Sequence, residues 1–437
     1  MKLIACTLAL CMTATAVHSL DEPALASRWQ APFNTTQTRT INGDSSLTFG
    51  AVLSLVAGNN PMLRALEYRL LAARGQIKQA GLRPNPVLEL EIEEFGWNAP
   101  GLSESELTVV LSQKLELFGQ RGARRDVARS ELQDTELESD MQAFDLYLEV
   151  KQRFCNFAHM QEKLRLAEAS LQLANDIVEN ISFRIEKGAS LQSELLLAQI
   201  EQQRAQLMLE ELKQRKQAEE TRLVALWNGI PGATKVIAQE EPDLQGLLTL
   251  AESLQEHVDS TRSILRLKNQ SAILRAQQSL AAAEGRPILT LFGGIRRFEA
   301  NNSKSFLFGV ELPLPLFDRN QGARESLHAR TRSLEYEIER ERHGAAAAIR
   351  AHVIELRNMA QRHDILDSGL LPKAEQAYRS LQEAYESGRL PYAQLLEAER
   401  SLNELRFEHN DILLSLHEQV IKLEALTGVM LQLDKEK

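Results

Sequence analysis

The side chains that could carry chemistry are few, and their spacing narrows what that chemistry is. Glu89, Glu91 and Glu93 alternate with Leu88, Leu90 and Ile92, and Glu94 follows. Alternation at period two puts the carboxylates on one face of a strand and the aliphatic side chains on the other. Wrapped into a ring, such a face forms anionic belts that favour cations; on an open sheet it is an ordinary solvated face. A second group, Glu179, Glu186, Glu383 and Glu386, lies within ten residues of two Gly breaks, Gly188-Ala189-Ser190 and Gly388-Arg389-Leu390. These carboxylates could ring an aperture, or pair with Arg184 and Arg389 to hold it shut. The simpler reading is surface i,i+4 pairing, each pair contributing a few tenths of a kcal/mol.

The remaining reactive side chains point nowhere. The nine histidines are His18, His159, His257, His328, His343, His352, His363, His409 and His417. None has a metal-ligand spacing to Cys or to another His, and His409 and His417 are eight apart, too far for one site. There is no phosphate loop, no nucleophile elbow and no HExxH, so no enzyme, cofactor or resident metal is expected. A conduit for metals would not need a tight site, because tight binding slows exit. A net charge of −10 over 437 residues argues against a nucleic-acid partner.

The N-terminus reads as an export signal, expected to span 1–16: Lys2, an apolar run from Leu3 to Val17, and the small-x-small site Ala14-Thr15-Ala16. Cleavage there would leave Cys155 as the sole cysteine, an inert packing residue. Cys6 follows Leu3-Ile4-Ala5, which resembles a lipoprotein acceptor, but the apolar stretch before it is too short for a normal signal. After the signal no run approaches the ~18 apolar residues of a membrane helix, so a membrane location would require a β-barrel.

The elements that position the carboxylates occur twice. Leu314-Pro315-Leu316-Phe317-Asp318-Arg319-Asn320-Gln321-Gly322-Ala323-Arg324 has an earlier, looser copy in Leu115-Glu116-Leu117-Phe118-Gly119-Gln120-Arg121-Gly122-Ala123-Arg124. In both, a strand-like run stops at Phe118 or Phe317, a polar turn follows through Asp318 in the second copy, and a long helical pattern begins near Gly122 or Gly322. Phe118 and Phe317 are 199 apart, Gly188 and Gly388 are 200 apart. Self-similarity at a fixed period sets the architecture.

After an extended arm over 17–46, repeat 1 covers 47–230: a helix at 48–82, strands at 87–97 and 107–117, a long helix at 121–187 and a helix at 192–227. A linker spans 231–246. Repeat 2 covers 247–429: a helix at 247–284, strands at 288–298 and 306–317, a long helix at 322–387 and a helix at 392–426. A tail, 430–437, remains. The long helices carry coiled-coil seams, with Tyr147, Val150, Phe154, Phe157, Leu164, Leu171 and Val178 stepping by threes and fours or their sums. At about 66 residues each they would reach about 100 Å.

The expected fold is therefore mainly α with a β-barrel part. Four strands per chain leave two open edges, which are a liability in water and forbidden in lipid. Three copies would give a twelve-stranded barrel. Eight of the 23 aromatic residues fall in the two strand windows, Phe95, Trp97, Phe118, Phe292, Phe298, Phe306, Phe308 and Phe317, and are expected to form girdles at the lipid–water interface.

With these elements in place, the run from Leu312 to Gly322 and the double repeat from about Leu47 to Val429 resemble the TolC-type outer-membrane efflux family. The Pro-Leu-Phe-Asp-Arg-Asn-Gln-Gly version is most similar to its heavy-metal, CzcC- and CusC-like branch. The resemblance implies a homotrimer: a barrel in outer-membrane lipid continued as a periplasmic helical tunnel. It also implies a periplasmic membrane-fusion adaptor docking at Gly188, Ala189, Ser190, Gly388, Arg389 and Leu390, and an inner-membrane transporter of the RND type. Pro391 departs from the family pattern and makes the two tips unequal. Two other readings stay open: a drug or type I protein export duct of the same family, and a soluble periplasmic coiled-coil scaffold.

Overall fold

The computed structural model describes residues 47–94, 105–188, 190–232, 236 and 244–431. The expected signal and arm, Phe95 and Trp97, Ala189, most of the linker and the end of the tail lie outside the described residues. In chain order the elements are α1 (Phe49–Asn59), α2 (Pro61–Ala80), β1 (Val87–Glu93), β2 (Glu106–Leu115), α3 (Gln120–Glu186) and α4 (Gln192–Ala225). The second half gives α5 (Leu244–Ser253), a 3-10 turn (Leu254–Ser260), α6 (Arg262–Glu284), β3 (Leu289–Phe298) and β4 (Ser303–Glu311). It ends with α7 (Gln321–Asp364), a π-turn (Ile365–Leu370), α8 (Leu371–Glu386) and α9 (Tyr392–Thr427).

Five expected elements are corrected, each for a local reason. The helix expected over 48–82 breaks at Asn60, whose side chain caps α2 by accepting from the Met62 N–H at 2.9 Å, with Pro61 at the first helical position. The helix expected over 247–284 divides around the 3-10 turn and the buried Thr261. The 322–387 helix carries the π-turn directly before Pro372, which cannot donate a backbone hydrogen bond and crowds the preceding turn. The strand expected over 306–317 runs instead from Ser303 to Glu311, because Pro313 and Pro315 cannot extend a ladder. β1 likewise ends at Glu93, and Glu94 turns with φ 56°.

The broken helices still stack end to end. Asn60 Nδ2 donates to the Leu226 carbonyl at 2.8 Å, so the start of α2 meets the end of α4. Arg262 Nη1 reaches the Ala425 carbonyl at 3.3 Å, so α6 meets the end of α9. Each repeat thus contributes one long rod and one jointed rod. Towards the sheet the helices pack in the order α2, α3, α6, α7; towards the tips the order is α4, α3, α9, with α9 packed on α7 and α8.

The core is concentrated at the joints. Val52, Val56, Leu66, Val150, Phe154 and Phe157 form one cluster. Its counterpart in the second repeat is Leu247, Ala251, Ile349, Val353, Leu416 and Val420. A third cluster near the tips gathers Ile181, Tyr385, Tyr392 and Leu395. Cys155 is buried beside the first cluster, and burial pushes its thiol up to about 12, as expected of an inert packing residue. Among the described residues no helix is long and apolar enough to cross a membrane.

Candidate functional site: the two-faced sheet and the paired tips

The strands form one antiparallel sheet in the order β1-β2-β3-β4, so β1 and β4 are its edges. Its register sorts side chains into rows. Leu90, Val109, Ile295 and Phe306 are cross-strand partners on one face, while Glu91, Thr108, Arg296 and Ser305 are partners on the other. The first face is apolar along most of its height, with Arg297 and Lys304 paired at the end away from the helices. Phe306 and Phe308 on this face are 77% and 84% exposed in the single chain. Such a surface, left uncovered by the chain's own helices, requires a partner.

Glu89, Glu91 and Glu93 share the opposite face, in line with their alternation. Arg296, which the sequence reading missed, stands on the same face and reaches Glu106 at 3.0 Å and Glu93 at 3.5 Å. The Arg296-Arg297 doublet was the available signal, since one of two adjacent strand residues must fall on each face. Glu93 is therefore partly compensated, and Glu89, Glu91 and, on β4, Glu311 are the carboxylates of that face without an ion pair among the described residues. The aromatics divide too: Phe292 and Phe298 lie on the carboxylate face and Phe306 and Phe308 on the apolar one. The girdle expectation is corrected accordingly, with Phe118 and Phe317 the aromatics at the helix-side ends, 42% and 90% exposed.

At the strand-to-helix turns, the residues in left-handed backbone are Gly119 (φ 87°) and Asn320 (φ 59°), not Gly122 or Gly322, which lie inside the first turns of α3 and α7. Glycine and asparagine are the residues that tolerate this region. Asp318 Oδ1 accepts the Asn320 N–H at 2.9 Å and shapes the longer second turn.

At the other end the chain reverses at Gly188 and Gly388, with φ of 73° and 74°, the left-handed helix stop that glycine supplies without strain. Ser190, Arg389 and Leu390 flank them. Arg184 Nη1 donates to the Tyr385 carbonyl at 2.9 Å while its guanidinium lies 4.7 Å from the Tyr385 ring centroid, joining the two hairpins. Arg389 Nε donates to Ser387 Oγ at 2.8 Å. The alternative in which Arg184 and Arg389 pair with acidic residues is not found: Glu179, Glu186, Glu383 and Glu386 are exposed and form no ion pair among the described residues.

Four of the histidines fall into two pairs rather than one site. His159 Nδ1 lies 2.9 Å from Asn410 Oδ1, and its Nε2 lies 3.5 Å from His417 Nδ1. His363 and His409 place their ring centroids 5.0 Å apart. Burial pushes His417 down to about 4, reinforced by His159. Among the described residues no group of three His, Cys, Asp or Glu is spaced to hold a metal.

The profile of the outer membrane efflux proteins matches residues 52–229 and 238–429, one segment per repeat. The chain belongs to the outer membrane efflux protein family. It is 27% identical over 389 residues to the cobalt-zinc-cadmium resistance protein CzcC of Cupriavidus metallidurans, covering 87% of this chain and 90% of that protein. It is 22% identical over 301 residues to the nickel-cobalt-cadmium resistance protein NccC of Alcaligenes xylosoxydans xylosoxydans, covering 69% and 68%. Among solved structures, the outer membrane protein VceC of Vibrio cholerae superposes with a TM-score of 0.69 at 20% identity, over 87% of this chain and 96% of that one. CusC superposes with a TM-score of 0.68 at 18% identity, over 89% and 94%. The efflux fold and an outer-membrane location with periplasmic helices follow from membership, and the soluble scaffold reading is set aside.

Proposed function

We propose that this efflux protein is a passive exit duct for heavy-metal cations, a homotrimer in the outer membrane that completes a tripartite system. The carrying observation is that all three layers end on the same two sides: β1, α2 and α4 on one, β4, α7 and α8 on the other. One repeated rotation joins every open edge at once, a head-to-tail interface that closes into a ring. Leu196, Ile200 and Leu207 on α4 (55%, 46% and 72% exposed) and Ile354 and Ile365 on the opposite edge (65% and 53%) fit burial at that seam. Similarity to a cobalt-zinc-cadmium resistance protein over most of the chain supports the cargo. Deleting the gene should sensitise cells to zinc, cobalt, cadmium, copper or silver. Sensitisation to dyes alone would instead assign the duct to drugs.

The tips around Gly188 and Gly388 receive the periplasmic adaptor, which links the duct to an RND-type inner-membrane transporter. Gly188→Val forces a β-branched residue into left-handed backbone, and should lower export several-fold while the trimer still assembles. Normal export from that variant would remove the tips from the docking site. The exposed Glu179, Glu186, Glu383 and Glu386 supply negative charge around the aperture, and the Arg184–Tyr385 contact holds the hairpins together.

The carboxylate face lines the barrel interior, where threefold repetition turns Glu89 and Glu91 into belts that favour cations. Neutralising Glu89, Glu91 and Glu93 together should lower the cation-over-anion permeability ratio in a planar bilayer, with most of the change coming from Glu89 and Glu91. An unchanged ratio would assign these residues to solvation alone.

A further inference from the structure

We propose that the second strand-to-helix turn, Phe317 to Gln321, docks onto the strand entry around Arg83 of the next copy of the chain. The proposal rests on the homotrimer and specifies the contact that seals it at the membrane's periplasmic side. Its basis is an internal precedent. The first turn, which follows β2, already meets the entry to β3 inside one chain: Arg286 Nη1 reaches the Phe118 carbonyl at 3.4 Å, and Gln120 Nε2 reaches the Arg286 carbonyl at 3.5 Å. Arg286-Pro287 has its repeat counterpart in Arg83-Pro84, the entry to β1. Gln120 has its counterpart in Gln321: each follows a left-handed residue, opens a long helix, and accepts with its side-chain oxygen from the N–H two residues back, Phe118 and Arg319.

The difference between the copies is what each turn lacks. The second turn packs on the end of α6 through Asn320 Nδ2 and the Ala281 carbonyl at 3.2 Å, but with no further strand entry on its open side in the same chain, Gln321 Nε2 folds back onto the Phe317 carbonyl at 2.9 Å. Leu314, Leu316 and Phe317 are left 70%, 65% and 90% exposed. Next to the opposite edge Arg83 is exposed and, with Lys114 and Arg121, lines a cavity of about 510 Å³ between the β1 entry and the end of β2. Glu116, the carboxylate in that lining, is held by Arg124 through both oxygens. The cavity is therefore basic and short of an anion. The turn that would face it carries Asp318, exposed and without an ion pair among the described residues. Ring closure sets β4 beside the neighbour's β1 in antiparallel order, because the strands alternate in direction and number four. Pairing those edges brings the end of β4 to the start of β1, hence the turn to the basic entry.

Cross-linking tests the contact. Arg83→Cys and Asp318→Cys in one chain, treated in membranes with a short bismaleimide, should give covalent dimers and trimers on a denaturing gel, and each single variant should not. Within one chain the two positions stand three strand spacings apart, roughly 14 Å, beyond the reach of the linker. Charge reversal is the second arm: Asp318→Arg should lower the temperature at which the trimer dissociates by several degrees, and adding Arg83→Asp should recover most of it. A heat-resistant trimer that neither cross-links nor responds to reversal would overturn the docking while leaving the trimer intact. An unmodified chain that runs as a monomer would overturn both.

Discussion

Lys151→Met is expected to destabilise the protein by about 3–5 kcal/mol, the cost of leaving a buried carboxylate without its counter-charge. Lys151 and Glu424 are 2% and 0% exposed, and Nζ lies 2.7 and 2.8 Å from the two carboxylate oxygens. Glu424 also accepts the Leu431 N–H at 2.7 Å, so the pair ties the segment after α9 to the middle of α3. Burial pushes the Glu424 carboxyl up in spite of the ammonium beside it, which shows how much desolvation the pair must offset. Replacing both residues, Lys151→Met with Glu424→Leu, should lose much less, because no orphaned charge remains. The midpoint of thermal unfolding in detergent, followed by helical circular dichroism, separates the cases. Equal losses in single and double variants would mean that the pair acts through packing alone.

The second large effect has the opposite sign. Glu399 is 8% exposed and borders a cavity of about 260 Å³ with Tyr378 and Asn403. Burial pushes its carboxyl from 4.5 up to about 7; Glu201 adds repulsion and Arg400 opposes. The folded state therefore holds this proton where the unfolded chain releases it. Its stabilising effect is complete at acid pH and declines as pH rises through the interval from 4.5 to about 7. Glu399→Gln should abolish that slope and raise stability by up to about 3 kcal/mol in alkaline buffer. Little change is expected at acid pH, where the native side chain is already neutral. Parallel pH–melting curves for the two proteins would expose the role, and curves offset equally at every pH would refute it.

Both groups lie outside what a linear reading can recover, and the reason is distance along the chain. Lys151 and Glu424 are 273 residues apart, and Glu399 sits in a helical pattern where a carboxylate is unremarkable. Arg184 stands out in the sequence, but its partner is the Tyr385 backbone, which no side-chain pattern encodes. By contrast, the duplicated Phe118 and Phe317 turns, the alternation from Leu88 to Glu93 and the glycine reversals are plain in the sequence, because each depends on neighbours along the chain. The helix boundaries that shifted mark places where one residue overrules a periodic pattern: Asn60 with Pro61, Thr261, Pro372 and the prolines after β4. The histidines show the limit from the other side. Eight residues separate His409 from His417, and the fold gives each a different partner, His363 and His159.

The stacked joints have a mechanical meaning. At Asn60 and Leu226, and again at Arg262 and Ala425, two helices abut through side-chain contacts rather than through peptide bonds. A stave cut in two bears compression almost as well as a whole one, yet yields more readily to bending and torsion at the cut. Of the four staves in each chain, only α3 runs its full 67 residues without a joint or a π-turn. A twisting load applied at the tips is therefore absorbed near mid-height, and most of the compliance belongs to the second repeat.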